Sequence, residues 1–483
     1  MTRSTAARIP LRRPSRDRTF VRRPAPSDDV IVSAVPPDAL AALLTVFAGL
    51  RPGLTRPGYA NAVVVFAGWV LTKGSHAVTE ALVATDVARR RHHEAFHRFF
   101  SRGTWSPDDL GSLVYSRLRP LLPAGAPIPI VLDDTLAAKK GPNVFGIGCH
   151  LDAVRSSKAF RVFTFGHVWV VLAVIVRVPF SSRLWALPVL FRLYRNEKEC
   201  TAKGHEHRKK TELARDLLDI FLGWTGAQDR VEVAMDAAYC NDTVMRDLPP
   251  RIDVIGAMRP DAVITAGPVS KAGRRGRRRV RGIPLPKPAA IATSGSVPWQ
   301  TCKAVLYGIR RTMHYKSLVA QWYRACGGRL LRIVIVRVDD GAIPFRVFFC
   351  TDPNRTVVEI LEGYGRRWGI EVCFRDLKQL LGFADSSARK KEAVERTAPF
   401  VGLVYTVLVV WFADGVHATA VATPPIRPWY RHKRGLSFAD IMRAAQRVLA
   451  PLDVLDPARL EADLRELSSD PHGNADPTLK KAS

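Results

Sequence analysis

Residues 128–134, IPIVLDD, run apolar and end in two acids, and residues 231–236, VEVAMD, repeat that design. Between them FRVFTFGHVWVVLAVIV (160–176) and ALPVLFRLY (186–194) read as two more strands, dense in Val, Leu and aromatic residues. The pattern then switches to a helical period. Over Thr211–Leu222 it sets Leu213, Leu217 and Phe221 on one face and stops at Gly223. After Asp236 a short helical stretch leads to a fifth strand, IDVIGAM (252–258).

Three strands in succession, a helix, a strand, a helix and a strand form the element order of an RNase H-like α/β fold. Residues 260–350 interrupt it. There TCKAVLYGIRR, LLRIVIVRV and FRVFFC read as strands, so this segment is a mainly β insertion within the core domain. The helical pattern resumes near Asn354 and continues to Ala413. The chain is expected to divide into a disordered basic arm (1–30), a helical domain (31–125) that suits either DNA-end binding or a plain scaffold, the RNase H-like domain (126–415) and a C-terminal helical region with its tail (416–483). Ser106-Pro107-Asp108-Asp109 marks one helix start in the second of these, with an N-cap, a proline in the first turn and two acids at the positive end of the dipole.

The 483 residues carry 73 Lys and Arg against 44 Asp and Glu, a formal net charge of +29, which points to a polyanionic partner, nucleic acid first. The arm adds eight of the arginines and has no apolar signal core. Seven dispersed cysteines form no CxxC pair, which argues for reduced thiols in the cytoplasm and against a zinc site or a disulfide framework. The uncharged run Ala398–Ala413 is slightly short of a bilayer span and reads as a core helix, so no membrane partner is expected.

Asp134 and Asp236 each end an apolar strand, where an α/β sheet presents polar groups to a ligand. Asp133 precedes Asp134, and period-two alternation lets only one of the two face the active centre. Further on stands YGRRWGIEVCFRDLK (364–378). Read as one helix, it brings Tyr364, Arg367, Glu371 and Lys378 within a wedge of about 60°. Trp368, Ile370, Val372, Phe374 and Leu377 crowd the remaining surface, so this polar stripe faces something polar and enclosed. Phosphate and metal ions fit. A solvated face with Arg367 and Glu371 paired across one turn fits the spacing too.

The spacing Y-x2-R-x3-E-x6-K resembles the YREK signature of the DDE transposases of bacterial insertion sequences, matched at all four positions. VLDDT and VAMDAAY are similar to that family's two Asp motifs. The resemblance spans roughly residues 90–415. It implies an RNase H-like endonuclease that moves a mobile DNA element bounded by terminal inverted repeats, by strand cleavage and strand transfer. Asp134, Asp236 and Glu371 would be the catalytic carboxylates and would bind two Mg²⁺ ions, for which Mn²⁺ can substitute. Tyr364, Arg367 and Lys378 would hold phosphates of the element's end. The partners implied are double-stranded DNA, both ends and target, and a second copy of the chain in a homodimer. The location implied is the bacterial cytoplasm, on the nucleoid.

Other features carry less. Lys271–Arg281 holds seven basic residues, among them Arg274, Arg275, Arg277, Arg278 and Arg279, and is expected to touch DNA without sequence preference. Lys139 and Lys140 suit the DNA backbone or plain solvation. His92, His93 and His97 lack a nearby acid and make a poor metal set. Trp299 and Trp322 lie in the insertion, where some relatives stack a tryptophan on a flipped base, but neither falls in a matching motif. Two alternatives stay open: a nuclease of the same fold without strand transfer, and an inactive, DNA-binding derivative.

Overall fold

A computed structural model describes residues 37–451 apart from 142, 158, 269–278, 307, 339–343 and 430–434. Five helices open it: α1 (Pro37–Ala48), α2 (Arg56–Leu71), α3 (Val78–Ala84), α4 (Glu94–Ser101) and α5 (Pro107–Leu118). Ser106 caps α5, accepting from the Asp109 N–H at 3.3 Å.

The sheet begins with β1 (Ile128–Ala138), a short β2 (Gly148–Leu151), and the long pair β3 (Phe163–Val178) and β4 (Ser181–Tyr194). Helices α6 (Glu197–Ala202) and α7 (Lys210–Trp224) follow, then β5 (Val231–Met235), α8 (Asp242–Met245) and β6 (Ile252–Met258). β1, β5 and β6 run parallel, while β3 and β4 add antiparallel on the other side of β1. The order β4-β3-β1-β5-β6 is the RNase H-like sheet the element order predicts.

The insertion contributes α9 (Pro288–Thr293), β7 (Gln300–Leu306), β8 (Ile309–Gln321), α10 (Tyr323–Cys326), β9 (Leu330–Val338) and β10 (Arg346–Cys350). Its strands continue the central sheet: β10 pairs with β6, and β9, β8 and β7 follow in turn. TCKAVLYGIRR is not one strand but the hinge of a hairpin, with Gly308 at φ +78°. Only glycine adopts that backbone freely. The buried Lys316 of β8 donates to the carbonyls of Ile291, Ala292 and Ser294 at 2.7–3.2 Å, so α9 is fixed to the sheet by satisfied hydrogen bonds at its C-terminal end.

Helices α11 (Val357–Gly365) and α12 (Trp368–Leu380) cross back over the sheet. The expected single helix over 364–378 is broken at Arg366–Arg367, where Arg367, Gly369 and Ile370 close three-residue turns instead of four. Glycines at 363, 365 and 369 weaken helix continuity there. The core helix α13 (Lys391–Ala413) is long and apolar enough to cross a membrane, yet 94% of its apolar window is buried within the protein. α14 (Phe438–Leu449) packs against it. The Trp411 indole donates to the Ala39 carbonyl at 2.8 Å, and α1 to α5 share one continuous apolar core with the sheet and α13.

Candidate active site

Strand register decides which acids meet. Val131 pairs with Ala234 and Leu132 with Met235, so Asp133 and Asp236 come next at the same level of two adjacent parallel strands. Residues at one level point to one face. Glu232, two positions before Ala234, identifies that face: its buried carboxylate accepts from Arg355 at 2.7 Å and Arg366 at 2.9 Å. Those arginines flank α11, so Asp133 and Asp236 face the helices that carry Tyr364, Arg367 and Glu371.

Asp134 alternates to the other face, where Lys210 at the start of α7 donates to it. Asp133, not Asp134, is thus the acid that shares a face with Asp236 and bonds Arg367. The physical reason is the pleat: a one-residue step reverses the side chain.

Arg367 joins the elements. Its Nη1 donates to Asp133 Oδ2 and its Nη2 to Glu371 Oε1, each at 2.6 Å, and its guanidinium lies 5.7 Å from the Tyr364 ring centroid. Its Nε is buried without a hydrogen-bond partner. The Tyr364 hydroxyl donates to Asp236 Oδ1 at a long 3.5 Å, and the ring packs on Phe348 at 4.7 Å. Burial raises the Tyr364 hydroxyl to about 12, so it stays protonated. Lys378 lies in the last turn of α12 and is exposed. Burial lowers its pKa, while Asp152 and Asp134 hold it up.

Asp133 is pushed up to about 6, chiefly by burial. Arg367 and the Asp134 N–H, 2.8 Å away, pull it down, and the Asp134 and Asp236 carboxylates push it up. Its pKa in the unfolded chain is about 3.9. A raised folded value favours the fold at low pH, so this contribution is complete below about pH 4 and is lost as pH rises through about 6. Stability of the metal-free wild-type protein relative to Asp133→Asn should thus fall by on the order of 3 kcal/mol between pH 4 and pH 7. Urea unfolding of both proteins across that range checks the sign, and parallel pH profiles would refute it.

Three carboxylates on one side suit a hard divalent cation. Asp133 and Glu371 share one guanidinium, that of Arg367. Among the described residues no three His, Cys, Asp or Glu groups already close around a single point. In the segment Lys271–Arg281, Arg274, Arg275, Arg277 and Arg278 lie outside the described residues, and Arg279 is exposed. Trp299 lies 4.7 Å from both Lys316 and Arg337, and Trp322 packs on Phe349.

Sequence reasoning missed the Glu232 clamp and the Lys210 partner of Asp134. The first had a signal: in VEVAMD, Glu232 shares the period-two face of Asp236. The second had none, because Lys210 is 76 residues from Asp134.

A family model described as archaeal putative transposase ISC1217 matches residues 327–417, the part with Arg367 and Glu371. No curated protein matches the chain. A model described as DDE superfamily endonuclease matches residues 49–312, more than half of the chain and both strand-end acid motifs. The chain belongs to the DDE superfamily endonuclease family.

Proposed function

We propose that the protein is a transposase that binds the terminal inverted repeats of a mobile DNA element as a homodimer, cleaves a strand at each end and joins it to target DNA. The observation that carries this reading is the level placement of Asp133 and Asp236 on neighbouring strands, with Glu371 tied to Asp133 through Arg367. Asp133, Asp236 and Glu371 are the proposed catalytic carboxylates, with Asp133 taking the place of Asp134. The YREK spacing of the bacterial insertion-sequence enzymes supports phosphate-holding roles for Tyr364, Arg367 and Lys378.

DDE endonucleases use divalent metal ions, and Mg²⁺ on these carboxylates would supply an activated oxygen nucleophile and charge relief on the leaving oxygen. In cleavage a water oxygen bonds to phosphorus, the bond to the 3′-oxygen breaks, and that oxygen takes a proton. In joining, the freed 3′-hydroxyl loses its proton and its oxygen bonds to a target phosphorus, the target's own P–O3′ bond breaks, and that leaving oxygen takes a proton, so only the attacking oxygen differs. The chain's own residues hold the line of attack: Lys378 reaches outward to phosphate, Tyr364 orients Asp236, and Arg366 with Glu232 fixes the α11–α12 junction. A net charge of +29 draws the DNA in.

The test uses purified protein, the DNA flanking its coding region and a target plasmid, with Mg²⁺ or Mn²⁺. The expected result is cleaved 3′ ends covalently joined to target. Cleavage without joining would reduce the protein to a nuclease, and end binding without cleavage would make it a DNA-binding derivative only.

A further inference from the structure

A second DNA-facing feature lies beyond the carboxylates, at the far end of β1. The short ribbon of β2 and β3 projects from the sheet and exposes two rings on one face, Phe163 (60%) and Phe165 (63%). Exposed phenylalanine two residues apart on a strand is not a core pattern, since every residue from Val168 to Val176 is buried. Both rings line a cleft of about 740 Å³ whose opposite wall is the loop after α12. Lys139, Lys140, Arg155 and Arg389 line it too, and no acid does among the described residues. The neighbouring acids already have partners: Asp152 accepts from Thr164 and the Val154 and Arg155 N–H groups, and Asp385 from the His76 N–H.

Hydrogen bonds tie the walls of the cleft together. The Phe145 N–H donates to the Arg389 carbonyl at 2.9 Å, the Lys139 N–H to the Phe165 carbonyl at 3.0 Å, and the Lys139 ammonium to the Ser386 carbonyl. Lys139 thereby braces the loop, leaving Lys140, Arg155 and Arg389 as the cations offered to a ligand.

We infer that this cleft binds unpaired DNA, stacking bases on Phe163 and Phe165 while Lys140, Arg155 and Arg389 hold the backbone. The inference rests on the proposed action on DNA ends. Aromatic faces alternating with cations suit single strands, because a duplex hides its base faces. Lys139 follows Asp133 by six positions, roughly 20 Å of extended chain, so a strand freed at the carboxylates has a path along β1 to the cleft.

The full-length protein is titrated against a labelled oligothymidylate of about 15 nucleotides, and against a duplex of the same length. F163A and F165A should each weaken oligothymidylate binding about tenfold and leave duplex binding within about twofold. F163Y and F165Y keep the ring and should bind as wild type. Replacing Arg389 by Ala should weaken oligothymidylate binding and reduce its salt dependence. An F163A/F165A double variant that binds oligothymidylate as wild type does overturns the inference. So does a loss of binding that tracks dissociation of an oligomer in sedimentation, which would make the patch a contact between copies of the chain. Wild-type protein that binds neither DNA form removes the proposed function as well, whereas normal duplex binding and end cleavage with unaffected Phe variants removes this inference alone.

Discussion

Asp133→Asn should lower Mg²⁺-dependent cleavage of end DNA by about 1000-fold or more, while Asp134→Asn should lower it by about tenfold at most. The asymmetry follows from the pleat, since the two residues are chemically alike and adjacent. Asp133 shares a face and a level with Asp236 and a guanidinium with Glu371. Removing its charge takes a hard oxygen donor from the proposed metal-binding face, and several kcal/mol of transition-state stabilisation go with it. Among the described residues Asp134 pairs with Lys210, with side chains 25% and 39% exposed, and an exposed pair contributes about 1 kcal/mol or less. Gel assays of strand cleavage on the two variants, with binding checked by anisotropy, decide the matter. Equal losses would mean that both acids serve the centre, and the reverse order would return the role to Asp134.

That pair marks how far the sequence carries. Apolar strands ending in acid, and the switch from period two to period 3.6, were enough to lay out the β1–β3–β4–α7–β5–β6 core, because those are local patterns. Which of two neighbouring acids faces inward depends on the register of β1 against β5, about a hundred residues away, and no local pattern encodes it. The break between α11 and α12 had its signal in three glycines, but the YREK spacing reads equally well on an unbroken helix. Tyr364 therefore stands on one helix and Glu371 on the next, with Arg367 at the joint. The insertion's strands were legible as strands. Their pairing with β6 was not, since IDVIGAM and FRVFFC look the same in any sheet. β2, at four residues, is too short to leave a periodicity.

Arg367→Ala should destabilise the metal-free protein by on the order of 3 kcal/mol at pH 7.5 and also abolish strand joining, and the two losses have separable causes. Arg367 and Asp133 are each only 15% exposed, so removing the guanidinium strands a buried carboxylate, whereas Glu371 at 35% can turn to water. The stability loss should shrink as pH falls toward about 6 and be small below it, because Asp133 then carries a proton in both proteins and no longer needs a partner. Adding Asp133→Asn to Arg367→Ala should accordingly recover most of the stability, a coupling that a double-mutant cycle reads directly. Joining should stay lost in the double variant. Arg367→Lys separates the roles further. It keeps one positive charge near Asp133 and so retains much of the stability, but a single ammonium cannot bridge Asp133 and Glu371 as the planar fork does. With the carboxylates no longer held in register, the reacting oxygen is misplaced, and an error of about 1 Å can cost about 100-fold in rate. A lysine variant that joins ends at the wild-type rate would leave Arg367 a counter-charge and nothing more. One that melts as early as the alanine variant would show that the fork, not the charge, holds this part of the fold together.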